Sequence, residues 1–329
     1  MNRDFFVLDS TISRTKESLR VLEDIARFSL SHPYSADEFR QIRHTLFSLE
    51  HRIGVGGLIS SRSTTVSDEE ERNGFFLPNQ TLWSLVRVNV ARVTESFRVL
   101  EEFVRLYHPS IAKDVEDLRY KVYSLEKIVL SQTPQYSLYQ YFEEGIVCPM
   151  ASMVDDLTTC IDKGAKMVVL RDVESPKHLV YAKAKQLCLY LQEQRLAVGN
   201  TDPVLLLLAG HVDLAVQLPV DGVHLEQGDV DVQQARWKLG SKAIIGRANS
   251  TIEELAASVE YGVDYVTYGP IFAHEGQVAV GTTQLAEIVD RLETPFAVCG
   301  GIQKDTADAV YSVGIRNLFV EGADSRAFF

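Results

Sequence analysis

The sequence predicts two domains: an N-terminal all-α helical bundle built on an internal repeat, and a C-terminal (β/α)8 TIM barrel lacking a full last helix. Three observations carry this. The chain has 329 residues, beyond the roughly 250–300 at which single hydrophobic cores stop growing. Its first part repeats a helical pattern. From Gly145 onward, short apolar runs alternate with amphipathic stretches, the signature of a parallel sheet covered by helices on both faces. The expected boundaries are 1–130 for the helical domain, 131–144 for a linker and 145–329 for the barrel.

The repeat comes first in the chain. ISRTKESLRVLEDIARF at Ile12–Phe28 aligns without gaps on VARVTESFRVLEEFVRL at Val90–Leu106, with eight of seventeen positions identical. QIRHTLFSLE from Gln41 and DLRYKVYSLE from Asp117 follow in the same order, so the repeat unit is a helix pair. Leu19, Leu22, Ile25, Ala26 and Phe28 share one arc of a helical wheel, with Val21 at its edge, as in a helix packing into a bundle. Arg14 and Ser18, and their equivalents Arg92 and Ser96, fall inside that arc. They form either an interhelical salt-bridge network or a polar pocket between helix pairs. Gly54–Pro78, GVGGLISSRSTTVSDEEERNGFFLP, reads as a long loop. GVGG within it lacks both the preceding strand and the Lys-Ser/Thr of a phosphate loop. SQTPQYSLYQYFEE after Leu130 has no helical period and reads as the linker.

The barrel elements then alternate: GIVCPMA, MVVLRD, PVLLLLA, GVHLE, AIIGRA, YVTYGPIF, FAVCGG and NLFVEG are eight strand candidates, separated by helical stretches. Eight such units close a barrel. The chain stops at ADSRAFF, too early for a full eighth helix, so the linker or a bundle helix is expected to cover the gap between the last and first strands.

Composition sets outer limits. With 46% apolar and 24% charged residues, the chain is neither disordered, collagenous nor a coiled coil. Its net charge of −12 disfavours nucleic acid and anionic membranes as partners, so any anionic ligand needs a local site. No apolar run approaches the roughly 18 residues of a membrane span, and MNRDFFVLDSTISRTKESLR has no signal-peptide core. Cys148, Cys160, Cys188 and Cys299 show no CxxC spacing, so neither a disulfide framework nor a zinc module is expected. A reducing cytoplasm fits them.

Barrel chemistry lies at the C-terminal ends of the strands. Those positions hold Arg171-Asp172, Ala209-Gly210-His211, His224 with Gln227 and Asp229, Arg247-Ala248-Asn249, Gly269-Pro270, Gly300-Gly301 and Glu321-Gly322. Arg171 at the end of an apolar strand calls for an anionic ligand or a carboxylate. Gly300, Gly301 and Gly322 either cradle a phosphate with bare backbone N–H groups or make tight turns. Asp229 could give one oxygen to Mg²⁺ or cap the next helix. His211, His224 and His274 lack zinc-ligand spacing.

These residues resemble thiamine phosphate synthases. VVLRD, HVDLAVQLPVDGVHLEQGD, IIGRANSTIEEL, YGVDYVTYGPIF and AVCGGI are similar to that family over nearly all of Gly145–Gly322. The most specific anchors are DGVHLEQGD at Asp221–Asp229 and YVTYGPIF at Tyr265–Phe272. The N-terminal repeat resembles a helical domain fused ahead of this synthase in some bacteria, from a family linked to phosphorylation of hydroxymethylpyrimidine phosphate. The resemblance implies coupling of hydroxymethylpyrimidine diphosphate to thiazole phosphate with release of pyrophosphate, Mg²⁺ as cofactor, and these two phosphorylated small molecules as ligands, with room for a homo-oligomer. It makes Arg171 the diphosphate-binding and catalytic arginine, Asp229 a magnesium ligand, and Gly300-Gly301 part of the thiazole phosphate cradle. His224, Gln227 and Gly322 complete the candidate ligand contacts.

The chain also departs from the family pattern. Val169 and Val173 replace a glutamine and a lysine around Arg171, and Ala209-Gly210 replaces an Asn-Asp pair, removing one magnesium carboxylate. Ala248 replaces a serine, Ala273–Gln277 a Pro-Thr and threonine-lysine loop, and Glu321-Gly322 an Ile-Ser. Arg247 or His274 is the candidate to make up for these losses, which sets His274 beside Arg171 as a catalytic candidate. Two other functions are weighed: a catalytically degenerate relative that binds a thiamine-pathway ligand in a regulatory or scaffold role, and an altered, tautomerase-like barrel enzyme using His211, His274 or Glu321. Tyr268 is reminiscent of the thiazole tautomerases, whose catalytic histidine falls at Ser250.

Overall fold

The computed structural model describes residues 3–54, 81–198, 203–273, 278–283, 285–289 and 292–329. It divides into two compact units, Met1–Thr133 and Pro134–Phe329.

The first unit is helical, as its periodicity requires. Helix α1 (Arg3–Asp24) runs into a π-helical turn at Ile25–Ser29, followed by α2 (Pro33–Ile53), α3 (Leu82–Tyr107) and α4 (Ala112–Leu130). Local signals set the ends: Pro33 opens α2, Gly54 closes it in the left-handed region, and a Thr81/Ser84 capping box starts α3. Helix α1 packs on α2 and α3, and α4 packs on α2 and α3. The expected loop beyond Gly54 lies outside the described residues.

The repeat turns out to be organised around a buried carboxylate. Glu23 is 1% exposed and accepts from Arg27, one turn on, and from Arg43 on α2, at 2.9 Å each. Its repeat equivalent Glu101, also 1% exposed, accepts from Arg105 one turn on and from Arg119 on α4. Each helix pair is therefore pinned by one carboxylate ringed by arginines, with Arg20 also 3.6 Å from Glu23 and Arg98 also donating to Glu101 at 3.3 Å, the condition for burying a charge. The polar groups expected to do this behave differently. Arg14 and Arg92 are exposed, whereas Ser18 is buried. Leu19, Leu22, Ile25 and Ala26 are in the core, but Phe28 is 72% exposed, because the π-helical turn adds a residue and rotates the end of the stripe outward.

The second unit is a closed parallel barrel of eight strands in chain order. Its strands are β1 (Val147–Ala151), β2 (Met167–Leu170), β3 (Leu205–Ala209), β4 (Gly222–Leu225), β5 (Ile244–Asn249), β6 (Tyr265–Tyr268), β7 (Phe296–Cys299) and β8 (Leu318–Glu321). Each strand alternates between two apolar layers. Val168, Leu170, Leu206, Val223, Ile245, Val266, Val298 and Val320 face the helices, while Met167, Val169, Leu205, Ile244, Tyr265, Ala297 and Phe319 fill the interior. The outer helices are α6 (Val154–Asp162), α7 (Lys177–Val198), α8 (Val212–Ala215), α9 (Val232–Leu239), α10 (Ile252–Glu260), α11 (Leu285–Val289) and α12 (Ala307–Tyr311).

Two expectations about the barrel need correction. The stretch 131–144 contains a helix, α5 (Pro134–Glu144), whose Leu138, Tyr141 and Phe142 join the interior cluster. Pro134 sits at its start, where a missing N–H costs nothing. Tyr141 donates to Pro203 O at 2.7 Å and Gln135 to Lys242 O at 3.0 Å, which ties α5 to the residues leading into β3 and β5. The gap between β8 and β1 is filled by the chain end itself, a 3₁₀ stretch at Gly322–Ala327 that packs on β1, β8 and α6. Ser325 within it is fully buried, and Arg326 forms an ion pair with Asp156 of α6.

Because α5 closes the interior from below, Leu138→Ala is expected to lower the unfolding free energy by about 2–4 kcal/mol, measured by urea denaturation. A loss under about 0.5 kcal/mol would show that α5 is an ornament rather than part of the core.

Candidate functional site

Alternation along the strands decides which side chains meet. On β2, Met167 and Val169 point inward, so Arg171, two residues on, continues that phase. By the same period of two, His224 and Glu226 of the β4 end, Cys299 of β7 and Glu321 of β8 point inward. All five line one cavity of about 720 Å³ at the C-terminal mouth, with Gly300 and Pro270. Ligand cavities of this size are common at this place in (β/α)8 barrels.

The floor is a stack of rings. His224 is buried against Tyr265 with centroids 5.6 Å apart, and Phe319 lies 5.5 Å from both. Gly246 makes this possible, since a Cβ there would stand 1.9 Å from the Tyr265 ring. The Tyr265 hydroxyl and His224 Nδ1 share a hydrogen bond of 2.8 Å. Burial pulls the His224 pKa down to about 4, so the ring is neutral near pH 7. Burial likewise pushes Tyr265 well above its ordinary value and Cys299 up to about 12. None of these three is a ready base or nucleophile at neutral pH.

The charges sit higher in the mouth. Glu226 accepts from Arg171 Nε at 2.5 Å and Nη2 at 3.3 Å, so the carboxylate expected as one of two partners for Arg171 is present. Asp229 does not cap a helix. Its Oδ2 accepts from the Glu226 N–H at 2.7 Å, closing the turn after β4, while α9 is capped by Asp231 instead. Asp229 lies against Gly210, where a Cβ would stand 3.0 Å from Oδ1. Positions 210 and 229 therefore face each other, and in this chain only one of them carries a carboxylate.

The remaining candidates separate. Gly300 and Gly301 turn at φ 83° and 65°, and a Cβ on Gly300 would stand 2.4 Å from Pro270 Cβ, so bare backbone is required beside the cavity. Gly322 opens the final 3₁₀ stretch at φ 64° and is not among the cavity-lining residues. Gln227 reaches the cavity, but its amide donates to Ser250 Oγ at 2.8 Å and to Glu254, the residue that completes the capping box of α10. His211 approaches Asp172 O at 3.3 Å. His274 lies outside the described residues.

Arg247 is not among the residues that line the mouth cavity. It falls in the outward phase of β5 and lines an adjoining cavity of about 350 Å³ beside α9 and α10, which shares Gln227, Ala248 and Asn249 with the mouth. Tyr268 also points outward, into the helix-facing layer. Asp172 is buried on that side too: burial alone would raise its pKa, but Lys183 and Ser175 hold it below the usual range. Glu226 and Cys299 were not singled out from the sequence, although strand parity alone would have placed both inward.

Fold and site together define a (β/α)8-barrel protein with its polar groups gathered at the C-terminal mouth around one arginine. The chain belongs to the thiamine monophosphate synthase family, whose profile matches residues 144–323. A second profile, that of the ThiD2 family, matches residues 6–128. The chain is 29% identical over 326 residues to a thiamine-phosphate synthase of Prochlorococcus marinus, covering 96% of this chain and 90% of that one. It is 28% identical to one of Nostoc punctiforme, covering 95% and 87%. A third, from Synechocystis sp., is 29% identical, covering 94% and 88%.

The neutral burial of His224 has a pH signature. The unfolded chain takes up its proton near 6.5, the folded one only near 4. This contribution is therefore complete above pH 6.5 and is lost as pH falls toward 4, by on the order of 3 kcal/mol. Between about pH 7 and pH 4.5, the wild-type protein is expected to lose roughly 2–3 kcal/mol more unfolding free energy than His224→Gln, by urea denaturation at each pH. Parallel losses would refute a neutral His224.

Proposed function

We propose that this protein forms thiamine phosphate from hydroxymethylpyrimidine diphosphate and thiazole phosphate, releasing pyrophosphate. The observation that carries the reading is the family match over residues 144–323, which falls on the barrel whose mouth gathers Arg171, His224 and Gly300 around one cavity.

The chemistry suits such a mouth. The bond from the pyrimidine methylene to the diphosphate oxygen breaks, and the thiazole nitrogen uses its lone pair to form the new C–N bond. No proton moves, so a neutral His224 and protonated Tyr265 and Cys299 are compatible with turnover. What the reaction needs is stabilisation of the departing negative charge. Arg171 would hold the diphosphate in this reading, its guanidinium being suited to two phosphate oxygens. The Gly300-Gly301 backbone is the corresponding place for the thiazole phosphate. Of the ring stack, His224 reaches the cavity, and Tyr265 and Phe319 support it from beneath.

Mg²⁺ fits as a partner that binds together with the diphosphate. Among the described residues there is no group of three or more His, Cys, Asp or Glu side chains able to hold a metal ion. Asp229 has one oxygen engaged by the Glu226 N–H and the other over Gly210. One carboxylate with phosphate oxygens and water is an ordinary magnesium donor set. The ion would supply positive charge to the leaving diphosphate. The free thiols and phosphorylated small-molecule ligands support a cytoplasmic location.

Tautomerase-like chemistry finds no counterpart here, since Ser250 stands where that histidine would fall and hydrogen bonds with Gln227 and Glu254.

With both substrates and Mg²⁺, the full-length protein is expected to release thiamine phosphate, and Arg171→Ala to lower kcat/KM by about 10²-fold or more. No product from folded protein, beside an active synthase, would overturn the reading. Asp229→Ala is expected to abolish Mg²⁺-dependent binding of the diphosphate in calorimetry; retention of full affinity would remove its metal role.

A further inference from the structure

We propose that Glu226 is a resident counter-ion that occupies the anion-binding face of Arg171 in the ligand-free protein, so that it sets the affinity and selectivity of the mouth for diphosphate. This rests on Arg171 being the diphosphate-binding arginine.

Both oxygens of Glu226 engage the guanidinium, through Nε and Nη2. That is the two-point geometry by which arginine takes a carboxylate or a phosphate, so a ligand phosphate and Glu226 compete for one surface. The pair is not a buried structural strut. Each side chain is 25% exposed, and both line the 720 Å³ cavity, so there is room for the carboxylate to swing aside. Its backbone, by contrast, is fixed. The Glu226 N–H is held by Asp229 Oδ2, and Gly228 follows in the left-handed region at φ 89°, so the side chain is presented to Arg171 from a rigid turn.

The mouth therefore carries a built-in rival to its ligand. Glu321, also lining the cavity, adds a second negative charge that works against loosely held anions. A monophosphate must displace Glu226 with little to gain. A diphosphate, with more charge and a cation bound at Asp229, has more interactions available to offset the exchange. Selectivity of this kind comes from a repulsive element as much as from an attractive one. Because a partly exposed ion pair is worth only about 1 kcal/mol, its removal should alter affinity by roughly fivefold rather than by orders of magnitude.

The test is calorimetric titration of the full-length protein with inorganic pyrophosphate and Mg²⁺, and separately with inorganic phosphate. Glu226→Gln keeps the shape and removes the charge; Glu226→Ala, with a thermal melt of each variant, guards against a folding artefact. Both variants are expected to bind pyrophosphate about fivefold tighter than wild type, and to narrow the preference for pyrophosphate over phosphate. In an Arg171→Ala background the gain should vanish, since the two residues act as one unit. Unchanged or weaker binding in both variants, or the same gain without Arg171, would overturn the proposal. A parallel turnover assay separates the two readings. Tightened binding without thiamine phosphate formation keeps the counter-ion and removes the synthase. Turnover with unaltered affinity does the reverse.

Discussion

Closure of the parallel ladder between β8 and β1 is the constraint from which the site follows. Once Val147 pairs with Leu318 and Met150 with Glu321, the strands have no free edge and every inward residue has a fixed height in the barrel. Arg171, His224, Glu226, Cys299 and Glu321 lie within a few residues of one another along the barrel axis only because eight registers agree. A slip of one residue in β4 would move His224 and Glu226 to the helix-facing side. The floor is equally dependent on closure, since the His224, Tyr265 and Phe319 rings come from three strands and touch only inside the ring.

Both ends of the barrel are finished by pieces that do not belong to the repeating β/α pattern. At the bottom, α5 inserts three apolar side chains beneath the strands; at the seam, Gly322–Ala327 packs on β1 and β8. These additions leave the C-terminal mouth open. The glycines at 246 and 300 serve the same end from within, because each sits where another side chain would collide with a neighbour that shapes the cavity.

The helical core and the barrel mouth treat charge in opposite ways. In the helical unit, Glu23 and Glu101 are almost inaccessible and each is surrounded by arginines on two helices, an arrangement in which removal of one partner would leave a stranded charge. In the barrel mouth, the Arg171–Glu226 pair remains open to solvent and to exchange. The first arrangement locks a repeat together and the second leaves a guanidinium ready to change partners.

Much of this was written in the sequence. The eight apolar runs located every strand, and the duplicated helices gave the first unit its architecture, because period and length are local properties that need no knowledge of the rest of the chain. Arg171, His224 and Gly300 could be placed at strand ends for the same reason. The pairing of Arg171 with Glu226 could not, since the two residues lie 55 positions apart and meet only through the β2–β3–β4 register. Arg247 was a candidate to make up for lost site residues, yet a single step in strand parity turns it toward the helix-facing side of β5. The stretch 131–144 does bury one helical face, Gln135, Leu138, Tyr141 and Phe142, but a short run of tyrosines and glutamines opened by a proline shows little contrast between its apolar and polar faces. Local chemistry fixed the elements and the residue types; only tertiary closure decided which charges face each other, because that depends on register summed over distant strands.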